Sequence, residues 1–182
     1  VSVVLGMDGE IAELSEALGG MRYAYLISCA SSRGFSEKAR VKLYSSDGEM
    51  KTLEISDRTK IDGSGKFDCD EVYAKLTENA FPYVIRYGVN AEGKINSVDL
   101  VDTPGEELAE TRDPANSLRK NYSKQSLVYR SGCLGFNSYA LLKSSTVMFV
   151  PDKAEYLMDE ERYQIGTYSL LNSNSRYTVE IY

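Results

Sequence analysis

A stretch between Phe81 and Asp102 constrains the fold of this chain more than any other feature. It reads FPYVIRYGVNAEGKINSVDLVD, so a run rich in β-branched and aromatic residues meets a short Asn/Glu/Gly turn, and a second run of alternating apolar residues follows. This pattern is typical of a β-hairpin. Because an isolated hairpin is marginally stable in water, it must share a core with other strands.

Two earlier turns, at Asp8-Gly9 and Asp47-Gly48, repeat this pattern. In all three places an acidic residue precedes the glycine, and apolar residues follow two and five positions after it. These apolar pairs are Ile11 and Leu14, Met50 and Leu53, and Ile95 and Val98. Since an odd spacing breaks the alternation of a strand, we expect a β-bulge in each return strand. The alternative is that Asp-Gly hairpins recur here by convergence, without a true repeat.

The whole chain predicts a mainly β fold, in which antiparallel hairpins form one or two small barrels or half-barrels, with one short helix near 70–78. The helix is expected because Val72, Tyr73 and Leu76 fall at helical spacing and acidic residues occupy the first turn. Residues 57–65 are rich in turn-forming residues. Further strands are expected at 1–7, 22–28, 39–45, 49–55, 126–130, 139–142, 146–150, 155–158, 163–169 and 176–182.

Three regions are expected along the chain. A hairpin-repeat β domain covers 1–102, a loop or linker covers 103–125, and a smaller β subdomain covers 126–182, either separate from the first core or sharing it. The middle region holds Pro104 and Pro114 and few apolar residues, and a loop of that length usually marks a junction or a mobile segment. Both chain ends lie inside alternating runs, so we interpret the chain as a fragment of a longer polypeptide.

The composition limits the chemistry of the chain. Histidine is absent, which removes the commonest general base and zinc ligand and excludes Ser-His-Asp and Cys-His catalysis within these residues. The net charge of −6 repels phosphate backbones, so we expect no nucleic-acid partner. Lys38, Arg40 and Lys42 alternate along one predicted strand, and a solvated strand face explains them better than a nucleic-acid patch. No apolar run reaches about 18 residues, so we expect no membrane span.

The carboxylates suggest a calcium site or a glycosidase acid pair, and the sequence supports neither. The segment from Asp62 to Glu71 is the densest candidate for calcium, but its spacing does not fit the EF-hand loop, and a solvated turn followed by a helix N-terminus explains it better. A glycosidase needs two acids across a cleft, yet a chain with 27 acidic residues always offers such pairs. We therefore predict no catalytic, cofactor-binding or metal-binding residues.

The cysteines and tyrosines also favour structural roles. Cys29, Cys69 and Cys133 match no CxxC unit, and no disulfide pairing can be deduced from their positions. Cys29 lies in an alternating run, which favours a buried thiol. Tyrosine occurs 14 times and often lies within predicted strands, so cross-strand packing explains it better than a ligand platform.

Several segments resemble the β modules of Firmicute cell-surface proteins that carry S-layer homology domains. They are 41–63, 84–99, 163–171 and 177–182, with Thr-Val-Met-Phe-Val-Pro (146–151) in the place that these modules require. The resemblance covers most of the chain except 103–125, and the S-layer homology repeats themselves are not among these segments. It implies an extracellular, wall-associated and non-catalytic role, and it supplies no catalytic residues.

We therefore expect a non-catalytic structural or adhesive module of a bacterial cell-surface protein of the S-layer type, with no enzyme activity. Its expected partners are cell-wall polymer or neighbouring domains of the surface protein, and neither nucleic acid nor membrane. The alternative is a ligand-binding module for cell-wall glycan or peptide, which would use the tyrosines or the 103–125 loop.

Overall fold

The computed structural model describes residues 2–6, 20–32, 38–102, 118–119, 122–137 and 139–182. Within these ranges the chain is mainly β, as predicted, with one α-helix, α1 (Cys69–Thr77). The strands, in chain order, are β1 (Ser2–Gly6), β2 (Arg22–Ser32), β3 (Lys38–Ser45), β4 (Met50–Ile61), β5 (Ser64–Phe67), β6 (Tyr83–Val89), β7 (Ile95–Asp99), β8 (Val101–Asp102), β9 (Leu118–Arg119), β10 (Tyr122–Arg130), β11 (Gly135–Phe136), β12 (Tyr139–Ala140), β13 (Thr146–Val150), β14 (Gln164–Gly166) and β15 (Arg176–Ile181). Short 3-10 helices cover Ser131–Cys133, Ala154–Tyr156, Glu160–Arg162 and Tyr168–Leu170.

The chain divides into two compact units. The barrel unit contains the described residues of 20–45 and 49–119, and the sheet unit contains those of 2–6, 46–48 and 122–182.

Five strands of the barrel unit pair in a ring. β2 is antiparallel to β3 and to β6, β3 is antiparallel to β4, β6 is antiparallel to β7, and β7 is parallel to β4. The order β6-β2-β3-β4 is a Greek key, because β6, the last of these four strands along the chain, returns to lie beside β2, the first. β7 then fills the gap between β6 and β4. The predicted small barrel or half-barrel is therefore confirmed, as a curled Greek-key barrel.

Strand β4 closes the ring because its two halves have different partners. Its first half pairs with β3, ending at Arg40↔Glu54, and its second half pairs with β7 at Ile61↔Val98. The register shifts between these halves, and the hydroxyl of buried Thr59 lies there, 3.0 Å from the Ile95 carbonyl oxygen. This side chain thus replaces a ladder hydrogen bond where the strand bends.

Helix α1 packs its apolar side into the core of the barrel. Asp68 is the N-cap: its carboxylate accepts a hydrogen bond from the Glu71 amide at 2.9 Å, and the Glu71 carboxylate accepts one from the Asp68 amide at 3.0 Å. This capping box satisfies two amides that a helix start leaves unpaired. Val72 and Leu76 are fully buried among residues of the barrel interior. The short helix predicted near 70–78 is confirmed.

The second and third predicted hairpins are also confirmed, as β3–β4 and β6–β7. In the third hairpin Gly88 faces Ser97 and Val89 faces Ile95, so the expected bulge lies in the return strand. The bulge expected in the second hairpin is wrong, because β3 and β4 pair without a register shift and Met50 and Leu53 point to opposite faces. The turn and return strand of the Asp8-Gly9 hairpin lie outside the described residues.

The prediction of a turn-rich segment at 57–65 is wrong. Strand β4 continues to Ile61 and meets β5 through a two-residue turn at Asp62-Gly63, where φ is 49° and 74°. Positive φ at both positions is the geometry that Asp-Gly turns favour. Residues 57–65 are therefore mainly strand around one more tight hairpin.

The sheet unit contains a seven-stranded sheet in the order β12-β11-β10-β15-β1-β13-β14. β1 is parallel to β15 and antiparallel to β13, so it pairs with strands near the C-terminus, whereas sequence analysis grouped residues 1–7 with the hairpins of 1–102. β9 and the start of β10 lie within the predicted 103–125 loop, of which 103–117 and 120–121 lie outside the described residues.

Aromatic side chains pack together with aliphatic ones in the core of the sheet unit. Phe136 lies 5.4 Å from the ring of Tyr129 and 6.1 Å from that of Tyr177, measured between centroids, and the rings of Phe136 and Tyr177 are nearly perpendicular, at 86°. The strands predicted at 126–130, 146–150 and 176–182 are present.

The strand predicted at 155–158 is wrong. Ala154–Tyr156 is a 3-10 helix, closed by local backbone hydrogen bonds such as Tyr156 N–H to the Lys153 carbonyl. The guanidinium of Arg162 lies 3.8 Å from the centre of the Tyr156 ring and also contacts Asp159 at 2.8 Å. These local contacts fold the segment on itself instead of extending it.

Candidate ligand-binding face

A basic face lies on the outside of the barrel unit along β3. Because side chains of a strand alternate between its two faces, Lys38, Arg40 and Lys42 point away from the core. The residues between and beyond them, Ala39, Val41 and Leu43, are fully buried. The alternation noted in the sequence is therefore a real outward row of three cations.

Glu54 on the neighbouring strand β4 gathers the cations of this face. Its Oε1 atom lies 2.7 Å from Nη2 of Arg40 and 3.6 Å from Nζ of Lys38, and its Oε2 atom lies 3.9 Å from Nζ of Lys94. The hydrogen bond from Arg40 and the charges of the nearby cations lower the pKa of Glu54. One carboxylate thus faces three cations, so the face keeps an excess of positive charge.

The turn between β6 and β7 brings Lys94 to this face. The side-chain oxygen of Asn90 accepts hydrogen bonds from the backbone amides of Glu92 and Lys94, each at 3.0 Å, and Gly93 takes a φ of 76°. These bonds give the turn a defined shape. Lys94 also pairs with Glu92 at 3.5 Å. We use the name basic face for Lys38, Arg40, Lys42 and Lys94.

Small side chains flank the basic face. In the antiparallel ladders Ser28, Ala30 and Ser32 of β2 lie opposite Lys42, Arg40 and Lys38, and Thr52 of β4 lies opposite Lys42. The long cationic side chains therefore rise above a floor of small and hydroxyl-bearing residues. Lys38 and Arg40 have about half of their side-chain surface exposed, at 49% and 58%.

The position of the basic face on the barrel has a functional precedent at the level of the fold. A five-stranded Greek-key barrel of this kind is an OB-fold, in which the face of the second and third strands and the loops after the first and fourth strands bind oligonucleotides and oligosaccharides. In this chain the second and third strands are β3 and β4. The fourth strand is β6, and the loop after it is 90–94. The loop after the first strand, 33–37, lies outside the described residues. Fold alone does not give function, so the face rests on its own chemistry.

The acidic side chains of the calcium candidate, Asp62 to Glu71, have separate structural roles. Asp62 is 3% exposed, and its Oδ1 atom accepts a hydrogen bond from the Leu100 amide at 2.8 Å. Asp68 and Glu71 form the capping box of α1. In the described ranges no three acidic, cysteine or histidine side chains are grouped as metal ligands would be. The turn that opens the segment thus has a buried Asp62 beside an exposed Gly63.

A buried acid that sequence reasoning missed lies on the third hairpin. Asp99 has 3% of its side chain exposed, and its Oδ2 atom lies 3.0 Å from Nη2 of Arg86 on the paired strand. Burial raises the pKa of Asp99 to about 6, although Arg86 opposes this shift and Asp62 adds to it. Correct pairing of residues 86 and 99 across the predicted hairpin would have found this pair.

The contact between Arg86 and Asp99 is close but poorly aligned. Despite the 3.0 Å approach, neither Nε of Arg86 nor Oδ2 of Asp99 has a hydrogen-bond partner among the residues that the structure describes. A carboxyl with a raised pKa is what a general acid requires. A catalytic acid must also reach its substrate, and the 3% exposure of Asp99 leaves it covered.

The cysteines are free thiols. Cys29 is half-buried in the barrel unit, where burial raises the pKa of its thiol to about 11, so it is a poor nucleophile at neutral pH. Cys69 is buried at the start of α1, and Cys133 is exposed in the sheet unit.

The tyrosines examined as ligand platforms serve the packing of the strands. Tyr25, Tyr44 and Tyr87 are buried. Tyr83 is half-buried, and its hydroxyl donates a hydrogen bond to the Leu76 carbonyl at 2.6 Å, which joins β6 to α1. These rings are not available as an open stacking surface.

The wider comparisons add no family to this picture. No α-helix in the described part of the chain has the length and apolar character needed to cross a membrane. Comparison with protein-family models, with curated proteins and with solved structures finds no significant match. The resemblance to S-layer-associated modules therefore stays a prediction.

Proposed function

We propose that the chain is a non-catalytic structural or adhesive module of a bacterial cell-surface protein of the S-layer type, extracellular and associated with the cell wall. The observation that carries the proposal is that three acidic side chains of the barrel unit have structural roles. Asp62 bonds to the backbone, Asp68 caps the helix, and Asp99 faces an arginine beneath the surface. Such groups support a scaffold rather than a reaction, which agrees with the sequence resemblance.

Fractionation of the source cells tests this setting. Antibodies raised against the purified chain should detect the parent protein in the wall fraction and on intact cells. Detection in the cytosolic fraction alone would contradict the proposal.

A turnover assay tests the absence of catalysis. The purified chain should not hydrolyse glycoside or peptide substrates. Hydrolysis that is abolished by Asp99→Asn and retained by Asp70→Asn, an exposed first-turn acid of α1, would contradict the proposal.

A second candidate function is a ligand-binding module for cell-wall glycan or peptide. The basic face favours it, because three of its four cations pair with only two carboxylates on a surface beside a well-defined turn. This surface also has the position at which OB-folds bind oligosaccharides. Neither the tyrosines nor a cysteine is needed for this role.

A pull-down on purified cell walls tests the second candidate. The chain should sediment with walls from the source organism, and added salt should release it, because exposed charges are screened at high ionic strength. Recovery of the chain entirely in the supernatant at low salt would contradict this candidate.

A further inference from the structure

We propose that the basic face binds a segment of an anionic polysaccharide, through carboxylate or phosphate groups along the polymer. This inference rests on the ligand-binding role proposed above and names the chemical class of its ligand.

Positive charge is locally in excess on the basic face. The chain as a whole has a net charge of −6, yet the basic face has four cations against Glu54 and Glu92. Charges on an acidic protein attract a polyanion only where one sign is locally in excess. Glu54 is already shared among Arg40, Lys38 and Lys94, so it cannot neutralise all three.

Strand geometry places three cations of the basic face at regular intervals. Alternate residues of a strand are separated by about 6.6 Å, so Lys38, Arg40 and Lys42 form a straight row about 13 Å long. A linear polymer with a charged group on successive sugar units can follow such a row. Glu54 also holds Arg40 through two nitrogens, Nη2 at 2.7 Å and Nε at 3.3 Å, which orients its guanidinium before a ligand arrives.

The side chains beside the cations favour a polysaccharide over a nucleic acid. Single-stranded nucleic acids bind to basic grooves in which aromatic side chains stack on the bases. The positions beside the cations are instead Ser28, Ala30, Ser32 and Thr52, and Tyr44 at the end of β3 is buried. Hydroxyl groups beside cations suit sugar hydroxyls and their acidic substituents, whereas the described residues beside the cations offer bases no aromatic platform.

Calorimetric titration of four probes tests the inference. The probes are polygalacturonate for carboxylates, a glycerol-phosphate teichoic acid for phosphates, dextran as a neutral glycan, and oligo-dT as a nucleic acid. We expect at least one of the two anionic glycans to bind at low salt, more tightly than oligo-dT, and dextran not to bind. The anionic probe that binds more tightly identifies the charged group.

Two matched triple variants assign the site. Lys38→Gln/Arg40→Gln/Lys42→Gln should weaken binding of the anionic glycan by about tenfold or more, because three surface charge contacts are lost. Arg58→Gln/Lys60→Gln/Lys66→Gln removes the same charge from exposed positions elsewhere in the barrel unit and should change affinity less than twofold. Circular dichroism should show both variants folded.

The outcomes separate this inference from the function on which it rests. Equal weakening by both triple variants, binding of dextran, or tighter binding of oligo-dT would overturn the anionic-polysaccharide site, even if the chain sediments with walls. Failure of the wild-type chain both to sediment with walls and to bind any probe would overturn the ligand-binding function itself.

Discussion

A pair of hydroxyl groups inside the barrel offers a quantitative test of its packing. Ser45 on β3 and Tyr87 on β6 are both buried, and their hydroxyl oxygens lie 2.9 Å apart. The two strands are not neighbours, since β2 lies between them and contributes the small side chain of Ala24 opposite Ser45. The bond therefore forms only if the sheet curls with these side chains on its inner face.

The size of the effect follows from the burial of both groups. Tyr87→Phe keeps the ring but leaves the Ser45 hydroxyl without this partner, which costs about 1–3 kcal/mol, and Ser45→Ala has the converse effect. The double variant leaves neither hydroxyl unpaired, so it should cost less than the sum of the single variants by about 1 kcal/mol.

Urea unfolding followed by circular dichroism measures the four free energies of unfolding. Tyr73→Phe is the matched control, because Tyr73 is a half-buried tyrosine of α1 in the same unit, and its effect should add to that of Ser45→Ala. If the Ser45 and Tyr87 substitutions are additive within about 0.3 kcal/mol, the hydroxyls do not pair and the described curl of the sheet is refuted.

Three further predictions concern single positions. Asp68→Ala should lower the free energy of unfolding by about 1 kcal/mol in a urea titration, whereas Asp68→Ser should retain most of it, because serine also caps a helix; equal losses would contradict the capping role. Because the pKa of Asp99 is raised to about 6 in the folded state, protonation of Asp99 contributes to the stability of the fold. This contribution is fully present below about pH 4 and is lost as pH rises through about 6. The free energy of unfolding of the wild-type chain, relative to that of Asp99→Asn, should therefore fall by about 1–2 kcal/mol between pH 4 and pH 7, a figure reduced to allow for solvent screening. A difference that stays constant with pH would contradict the raised pKa. Gly135→Ala should lower the melting temperature more than Gly132→Ala, because a methyl group at position 135 would collide with the backbone of Tyr139, whereas position 132 is open; equal melting temperatures would contradict the described pairing of β11 with β12.

Local patterns predicted the elements whose partners are close in sequence. The third hairpin followed from its alternation and its turn, and α1 followed from the spacing of Val72 and Leu76 and from the acidic residues of its first turn. In both cases the partners lie within a few residues, so the sequence alone contains the information. The same holds for β3 and the first half of β4, joined at Asp47-Gly48.

Long-range pairing explains what the sequence did not reveal. The segment 57–65 looked like a turn because Asp62, Gly63 and Gly65 are turn-forming residues, yet β4 extends through its first half to reach a parallel partner in β7. No local pattern announces a parallel partner more than 30 residues away. Closure of the barrel was therefore beyond local reasoning.

The basic face was half predicted. The alternation of Lys38, Arg40 and Lys42 was visible, and it indicated an outward-facing strand face. The convergence with Glu54 and Lys94 was not visible, because it depends on β4 pairing with β3 and β7 together. The excess of positive charge on this surface thus emerges from the topology rather than from a motif.

The basic face depends on closure of the barrel, since closure places Lys94 beside Glu54 and β3. Nuclear magnetic resonance of the labelled chain tests it directly, through contacts between backbone protons of neighbouring strands and through amide exchange. We predict cross-strand contacts of β4 both with β3, at Val41 and Leu53, and with β7, at Ile61 and Val98, together with slow exchange of the Asp62 amide that bonds to the Val98 carbonyl. Contacts of β4 with β3 alone, and an Asp62 amide that exchanges as fast as an exposed one, would contradict closure of the barrel.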